Sequence, residues 1–186
     1  MDVTIARRRL GEILGEESLR RGEFVLASGK TSDYYLDCRR TTLHAEGAHL
    51  VGILVLDAIF RRGWDAVAVG GLTLGADPVA TAAAIVSHLS GKPMHAFLVR
   101  KQTKDHGTRQ QIERVPPEGS RVVLVEDVVT TGGSALLAAE AARGAGLEVL
   151  GVVGLVDREE GGRERLADAG CELESLFTAR ELLGDA

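Results

Sequence analysis

The stretch VVLVEDVVTTGGSALL, residues 122–137, decides the reading of this chain. Four apolar, mostly β-branched residues predict a buried strand over Val122–Val125. Two adjacent carboxylates follow, Glu126 and Asp127, then Val128 and Val129. Next come Thr130, Thr131, Gly132, Gly133 and Ser134, running into an Ala/Leu-rich segment that reads as a helix. Free N–H groups, small hydroxyls and the positive end of the helix dipole converge in such a loop, which makes an anion cradle. Two carboxylates beside it would repel a bare phosphate. They make sense where the ligand also carries vicinal hydroxyls, or a Mg²⁺ bound to a second anionic group. A solvated acidic turn before a capped helix explains any one of these features; the complete order is more specific.

Outward from this stretch, the same unit of apolar strand, loop and helix recurs. Strands are expected at Ala66–Val69, His95–Val99, Val122–Val125 and Val149–Val156, with helices at 78–90, 133–145 and 160–169. Continuous apolar runs suit parallel strands covered on both faces, and the alternation predicts an α/β domain with a central parallel sheet flanked by helices. Ligands of such sheets bind beyond the carboxyl ends of the strands. Upstream, residues 3–20 and 45–61 read as helices. Between them Phe24–Leu26 and Tyr34–Leu36 flank a polar Ser-Gly-Lys-Thr-Ser-Asp turn, which predicts a hairpin.

The order of strand, acid pair, two apolar residues and hydroxyl-glycine loop resembles the phosphoribosyl-pyrophosphate (PRPP) signature of the type I phosphoribosyltransferases. The resemblance implies that Glu126 and Asp127 hold the ribose 2′- and 3′-hydroxyls. Val128, Val129, Thr130, Thr131, Gly132, Gly133 and Ser134 would then bind PRPP through its 5′-phosphate. It also implies that family's fold, with a small N-terminal hood hairpin. The whole chain, 1–186, would be one domain: a core at about 46–157, and a hood made of about 1–45 plus a C-terminal segment.

Three further stretches point to one branch, the orotate phosphoribosyltransferases. The chain has four lysines against eighteen arginines, and two of the four fall in RKQTKDHGTRQQIER, residues 100–114. A cationic segment with Gly107 in its middle can close over a pyrophosphate and offset the charge developing on it. Arg100, Lys101, Lys104 and His106 resemble the branch's catalytic loop, which implies PRPP contacts for all four. Catalytic roles would fall to Lys101, Lys104 and His106, alongside Asp127. LVDREEGG, residues 155–162, resembles the segment that places an arginine, here Arg158, on orotate. The hairpin resembles the hood element that covers the base, with Lys30, Tyr34 and Tyr35 there and Thr130 opposite. Two positions depart from the pattern: Ala27 and Leu74 stand where many members have lysine.

The resemblance implies transfer of the phosphoribosyl group from PRPP to orotate, giving orotidine 5′-monophosphate and pyrophosphate in pyrimidine synthesis. The expected cofactor is Mg²⁺, held mainly through the diphosphate with no direct protein ligand set. The expected partner is a second copy of the chain, in a homodimer with shared active sites. A phosphoribosyltransferase for a purine or another base, and a non-catalytic PRPP-sensing regulator on the same fold, are the alternatives.

Composition narrows these. With 186 residues, 27 acidic against 22 basic, the net charge is −5. That argues against nucleic-acid partners and anionic membrane surfaces. No apolar run reaches the roughly 18 residues of a membrane span, and the charged start MDVTIARRRLGEILGEE is unlike a secretory signal. Two cysteines, Cys38 and Cys171, lack metal-ligand spacing and fit a reducing cytoplasm. Glycine is the outlier, 23 of 186, as expected where backbone approaches a ligand closely.

Overall fold

Helix α1 (Val3–Ile13) begins at Asp2, whose carboxylate accepts from the Thr4 and Ile5 N–H groups, and it buries Ala6, Leu10 and Ile13. The computed structural model describes residues 2–25, 29, 31–101 and 111–184. The helix expected over 3–20 stops at Ile13. A π-turn at Leu14–Ser18 leads into strand β1 (Leu19–Val25), which pairs antiparallel with β2 (Thr31–Leu36). Leu19, Arg20 and Arg21 lie opposite Leu36, Tyr35 and Tyr34, so ladder hydrogen bonds replace further helical ones. A short α2 (Arg39–Thr42) follows, tied to the π-turn by a 2.6 Å bond between the Ser18 and Thr41 hydroxyls.

The remaining elements alternate. They are α3 (Ala45–Arg61), β3 (Ala68–Leu72), α4 (Ala76–Leu89), β4 (His95–Val99), β5 (Ile112–Glu113), β6 (Arg121–Val129) and α5 (Gly133–Gly144). After them come β7 (Glu148–Asp157), α6 (Gly162–Asp168), β8 (Leu173–Thr178) and α7 (Ala179–Leu183). The main sheet runs β5-β4-β3-β6-β7-β8, parallel throughout except that β5 runs antiparallel to β4. Strand alternation sends its side chains into two cores. Val69, Val123, Val125, Val153 and Leu155 pack under α1, α3 and α4. Ala68, Val122, Leu124 and Val152 pack under α5 and α6. Each fully buried Val or Leu contributes roughly 1.5–3 kcal/mol, so β6, with Val122–Val125 at most 1% exposed, is the sheet's anchor.

Three strand ends differ from the sequence reading. β3 starts two residues late and continues through Gly70, Gly71 and Leu72, because those residues ladder with Phe97, Leu98 and Val99. β6 continues past Val125 to Val129, paired with β7 as far as Asp157. The acid pair therefore sits within the strand. β8 lacked a continuous apolar run because it is an edge strand with a mixed burial pattern; it extends the sheet to Thr178. Among the described residues no helix is long and apolar enough to cross a membrane.

Candidate active site

The last four residues of β6 carry the charge. Glu126 is 7% exposed, and its Oε2 has no hydrogen-bond partner among the described residues. Burial, followed by repulsion from Asp127, pushes its carboxyl up to about 8, with Lys101 pulling the other way. Asp127 is raised as well, chiefly by burial, and opposed by the Val128 N–H (3.0 Å from Oδ1) and by the Arg39 charge. The pair therefore holds a proton more readily than isolated carboxyls do. A protonated and an ionised carboxyl side by side can donate to one hydroxyl and accept from its neighbour, as a vicinal diol requires.

The pair faces a cavity of about 340 Å³, also lined by Ser134, Lys101, Arg39 and Tyr35. Gly75 opens α4 at φ −62°, an ordinary helical value, yet a Cβ there would overlap the Asp127 carboxylate. Its role is close approach rather than conformational freedom. Cys38 is on the wall too, but burial and the nearby Asp127 and Asp37 raise its thiol well above the ordinary range. The thiolate form is thus disfavoured there.

The hydroxyl-glycine loop turns from β6 into α5 through Gly132 at φ 74°, the left-handed region that disfavours a Cβ. A side chain there would also press on Gly162 O and Leu166, both 3.2 Å away. No side chain caps α5, so its first-turn N–H groups are open to an anion. Ser134 lies at the second helical position, on the cavity wall. Thr130 and Thr131 form the turn itself, and Thr131 O accepts from Arg165 at 3.3 Å. Val128 reaches the cavity, whereas Val129 is core, 1% exposed.

The cationic segment divides. Lys101 joins the cavity. Arg100 does not: its guanidinium pairs with Glu113 at 2.6 Å, where β5 returns alongside β4. Lys104, His106, Lys30 and Ala27 lie outside the described residues. Leu74 lines the cavity without a charge.

The residues expected at the base also divide. Arg158 follows β7, with its N–H on Val129 O at 2.9 Å and its side chain only 8% exposed. Its guanidinium carbon lies 4.6 Å above the Tyr34 ring. Tyr35 points the other way, lines the cavity and meets Phe24 at 5.6 Å between ring centres. Arg39 and Gly75 were missed in the sequence. The Asp-Cys-Arg-Arg cluster ending β2 was the available signal for the first. Arg39 is held by Asp37 through contacts of 2.8 and 3.1 Å.

Comparison with known proteins agrees with this geometry. Residues 42–174 match the family profile of the phosphoribosyl transferase domain. An orotate phosphoribosyltransferase of Corynebacterium glutamicum (strain R) is 47% identical over 177 residues, covering 95% of this chain and 94% of the relative. One from Rhodopirellula baltica is 45% identical, covering 91% and 90%. The Mycobacterium tuberculosis orotate phosphoribosyltransferase, solved in complex with PRPP, superposes with a TM-score of 0.80. It is 41% identical and covers 95% of this chain and 98% of that one.

Proposed function

The chain belongs to the orotate phosphoribosyltransferase family, and from that premise we propose that it transfers the phosphoribosyl group of PRPP to orotate. The observation that carries this reading is the acid pair, Glu126 buried and Asp127 half-buried, with no cationic hydrogen-bond partner among the described residues, beside the uncapped start of α5. The diol of a ribose 5-phosphate supplies what the carboxylates lack, and its phosphate takes the N–H groups.

In the reaction the bond from the anomeric carbon to pyrophosphate breaks, with the electron pair leaving on oxygen. A ring nitrogen of orotate, having lost its proton, forms the new bond, and the transition state has oxocarbenium character. Asp127 and Glu126 fix the sugar so that the two partners meet in line. Lys101 faces the leaving group, where charge peaks in the transition state. Arg39, on the same cavity wall, adds a second positive charge where Leu74 provides none. Arg158, with its planar fork, takes the carboxylate that distinguishes orotate from uracil. A purine acceptor lacks that carboxylate and would leave the buried charge without an anionic partner.

Magnesium fits as a companion of the diphosphate. Held mainly through the diphosphate oxygens, the ion would neutralise charge on the leaving group. A homodimer is supported by an apolar groove of about 880 Å³ beside the cavity, with which it shares Asp37, Arg39 and Leu74. Leu43, Leu74 and Ile85 are 73%, 69% and 57% exposed along it.

Orotate consumption that requires both PRPP and Mg²⁺ tests the proposal, with uracil and hypoxanthine as competing acceptors. Equal use of uracil or hypoxanthine would overturn the base assignment, and no turnover of PRPP with any base would overturn the activity.

A further inference from the structure

Tyr34 and Tyr35 are neighbours in sequence but lie on opposite faces of β2. Tyr34 shares the inward face with the buried Leu36, and Tyr35 the outward face with Asp33. A one-residue step in a strand reverses the face, so the two rings do different things.

Tyr34 meets Arg158. The Arg158 side chain is only 8% exposed, yet its Nε has no hydrogen-bond partner among the described residues. The Glu160 carboxylate lies 2.9 Å from Nε but off the N–H direction, so it supplies charge without a hydrogen bond. No described residue takes a hydrogen bond from the Nη edge. A buried guanidinium left in this state is costly. The Glu160 charge offsets part of the cost, and the ring adds to that offset: the guanidinium carbon sits 4.6 Å from the Tyr34 centroid, where the negative face of the ring attracts a cation. The contact is fixed from both sides. The Ser32 hydroxyl donates to Tyr34 O at 2.8 Å, setting the β2 backbone. The Asp157 carboxylate accepts the Glu159 N–H at 2.8 Å, setting the turn that carries Arg158.

We propose that Tyr34 is a positioning residue for acceptor specificity: its ring face holds the Arg158 guanidinium in plane, leaving the Nη fork for the carboxylate of the pyrimidine. Base covering then falls to Tyr35 alone. The inference rests on the orotate reading above and adds to it. The hairpin β1–β2 sets acceptor affinity through Arg158, without touching the acceptor at Tyr34.

The experiment is a double-variant cycle read as separate Michaelis constants for orotate and PRPP, with thermal melting as a check on folding. Tyr34→Leu removes the ring face and should raise the orotate constant about tenfold, leaving the PRPP constant and the melting transition near wild type. Tyr34→Phe keeps the ring face and should stay within about twofold. Adding Tyr34→Leu to Arg158→Ala should change nothing further, because the ring acts only through the guanidinium. If Tyr34→Leu lowers the melting transition, Tyr34→Met, whose unbranched chain adapts better to the space, takes its place. Additive effects in the double variant, or a Tyr34→Phe as impaired as Tyr34→Leu, would show that Tyr34 contacts the acceptor directly and overturn this inference alone. A wild type that turns over PRPP but not orotate overturns this inference together with the orotate reading.

Discussion

Glu126 and Asp157 stand near the carboxyl ends of neighbouring strands, and both are nearly out of reach of solvent, 7% and 2% exposed. Their surroundings are opposite. Asp157 accepts the Glu159 N–H at 2.8 Å and faces Arg163 at 3.3 Å, while Arg163 also donates to Leu173 O and Ser175. Glu126 has an orphaned oxygen and a like charge for a neighbour. Burial alone therefore does not mark a functional acid. An unmet hydrogen-bonding capacity does, since the fold tolerates its cost only where a ligand meets it. Asp157 secures the turn that presents Arg158, and Glu126 waits for a substrate.

The largest effects should separate these two acids. Asp127→Asn removes a charged hydrogen bond to a ribose hydroxyl, worth roughly 1–3 kcal/mol, and Glu126→Gln replaces the carboxyl that pairs with the other hydroxyl by an amide that holds no titrating proton. Each should lower kcat/KM for PRPP about 10- to 100-fold, with no fall in melting temperature. Asp157→Asn should do the reverse. It leaves Arg163 and the Glu159 turn weakly held and should cost about 2 kcal/mol in chemical denaturation, at an unchanged PRPP constant. A shift in that constant as large as for Asp127→Asn would erase the distinction.

How much of this was legible in the sequence follows the same division. The alternation of buried strand and helix was legible because parallel strands covered on both faces must be apolar throughout, as Val122–Val125 are. The acid pair and the hydroxyl-glycine loop were legible because all their parts are contiguous. Contacts that depend on distant chain segments were not. Nothing local tells that Gly75 lies against Asp127, that Arg100 turns to Glu113, or that Tyr34 and Tyr35 serve different neighbours. The end of β6 was misplaced because charged residues usually end strands, whereas here pairing with β7 carries the ladder through them.

Gly75 offers a smaller and sharper change. Its backbone is already helical, so Gly75→Ala puts no strain on φ, and the added methyl meets the Asp127 carboxylate first. That carboxylate must shift, and displacement of a positioned group is felt strongly in rate. The PRPP constant should rise about tenfold while stability holds or improves slightly through lower unfolded-state entropy. Combined with Asp127→Asn, Gly75→Ala should add little. A full second tenfold loss in that double variant would mean that Gly75 acts through its own N–H on the ligand.

The smallest expected effect is on stability against pH. In the unfolded chain Glu126 ionises near the ordinary value of 4.5, and in the folded chain near 8. Between these values the folded protein keeps a proton that the unfolded one has released, so stability falls as pH rises through the window. Below 4.5 both forms are protonated and Glu126 costs nothing; above 8 both are ionised and the full cost is present. After a discount for solvent screening, the effect is about 1 kcal/mol between pH 6 and pH 9, or a melting temperature lower by about 2–4 °C. Glu126→Gln carries no titrating proton, so its melting temperature should exceed that of the wild type by more at pH 9 than at pH 6. Asp157→Asn, which changes a carboxylate already satisfied by Arg163 and the Glu159 N–H, should keep the wild-type decline. Parallel profiles for wild type and Glu126→Gln would mean that the alkaline loss arises elsewhere and that Glu126 is already ionised in the folded chain.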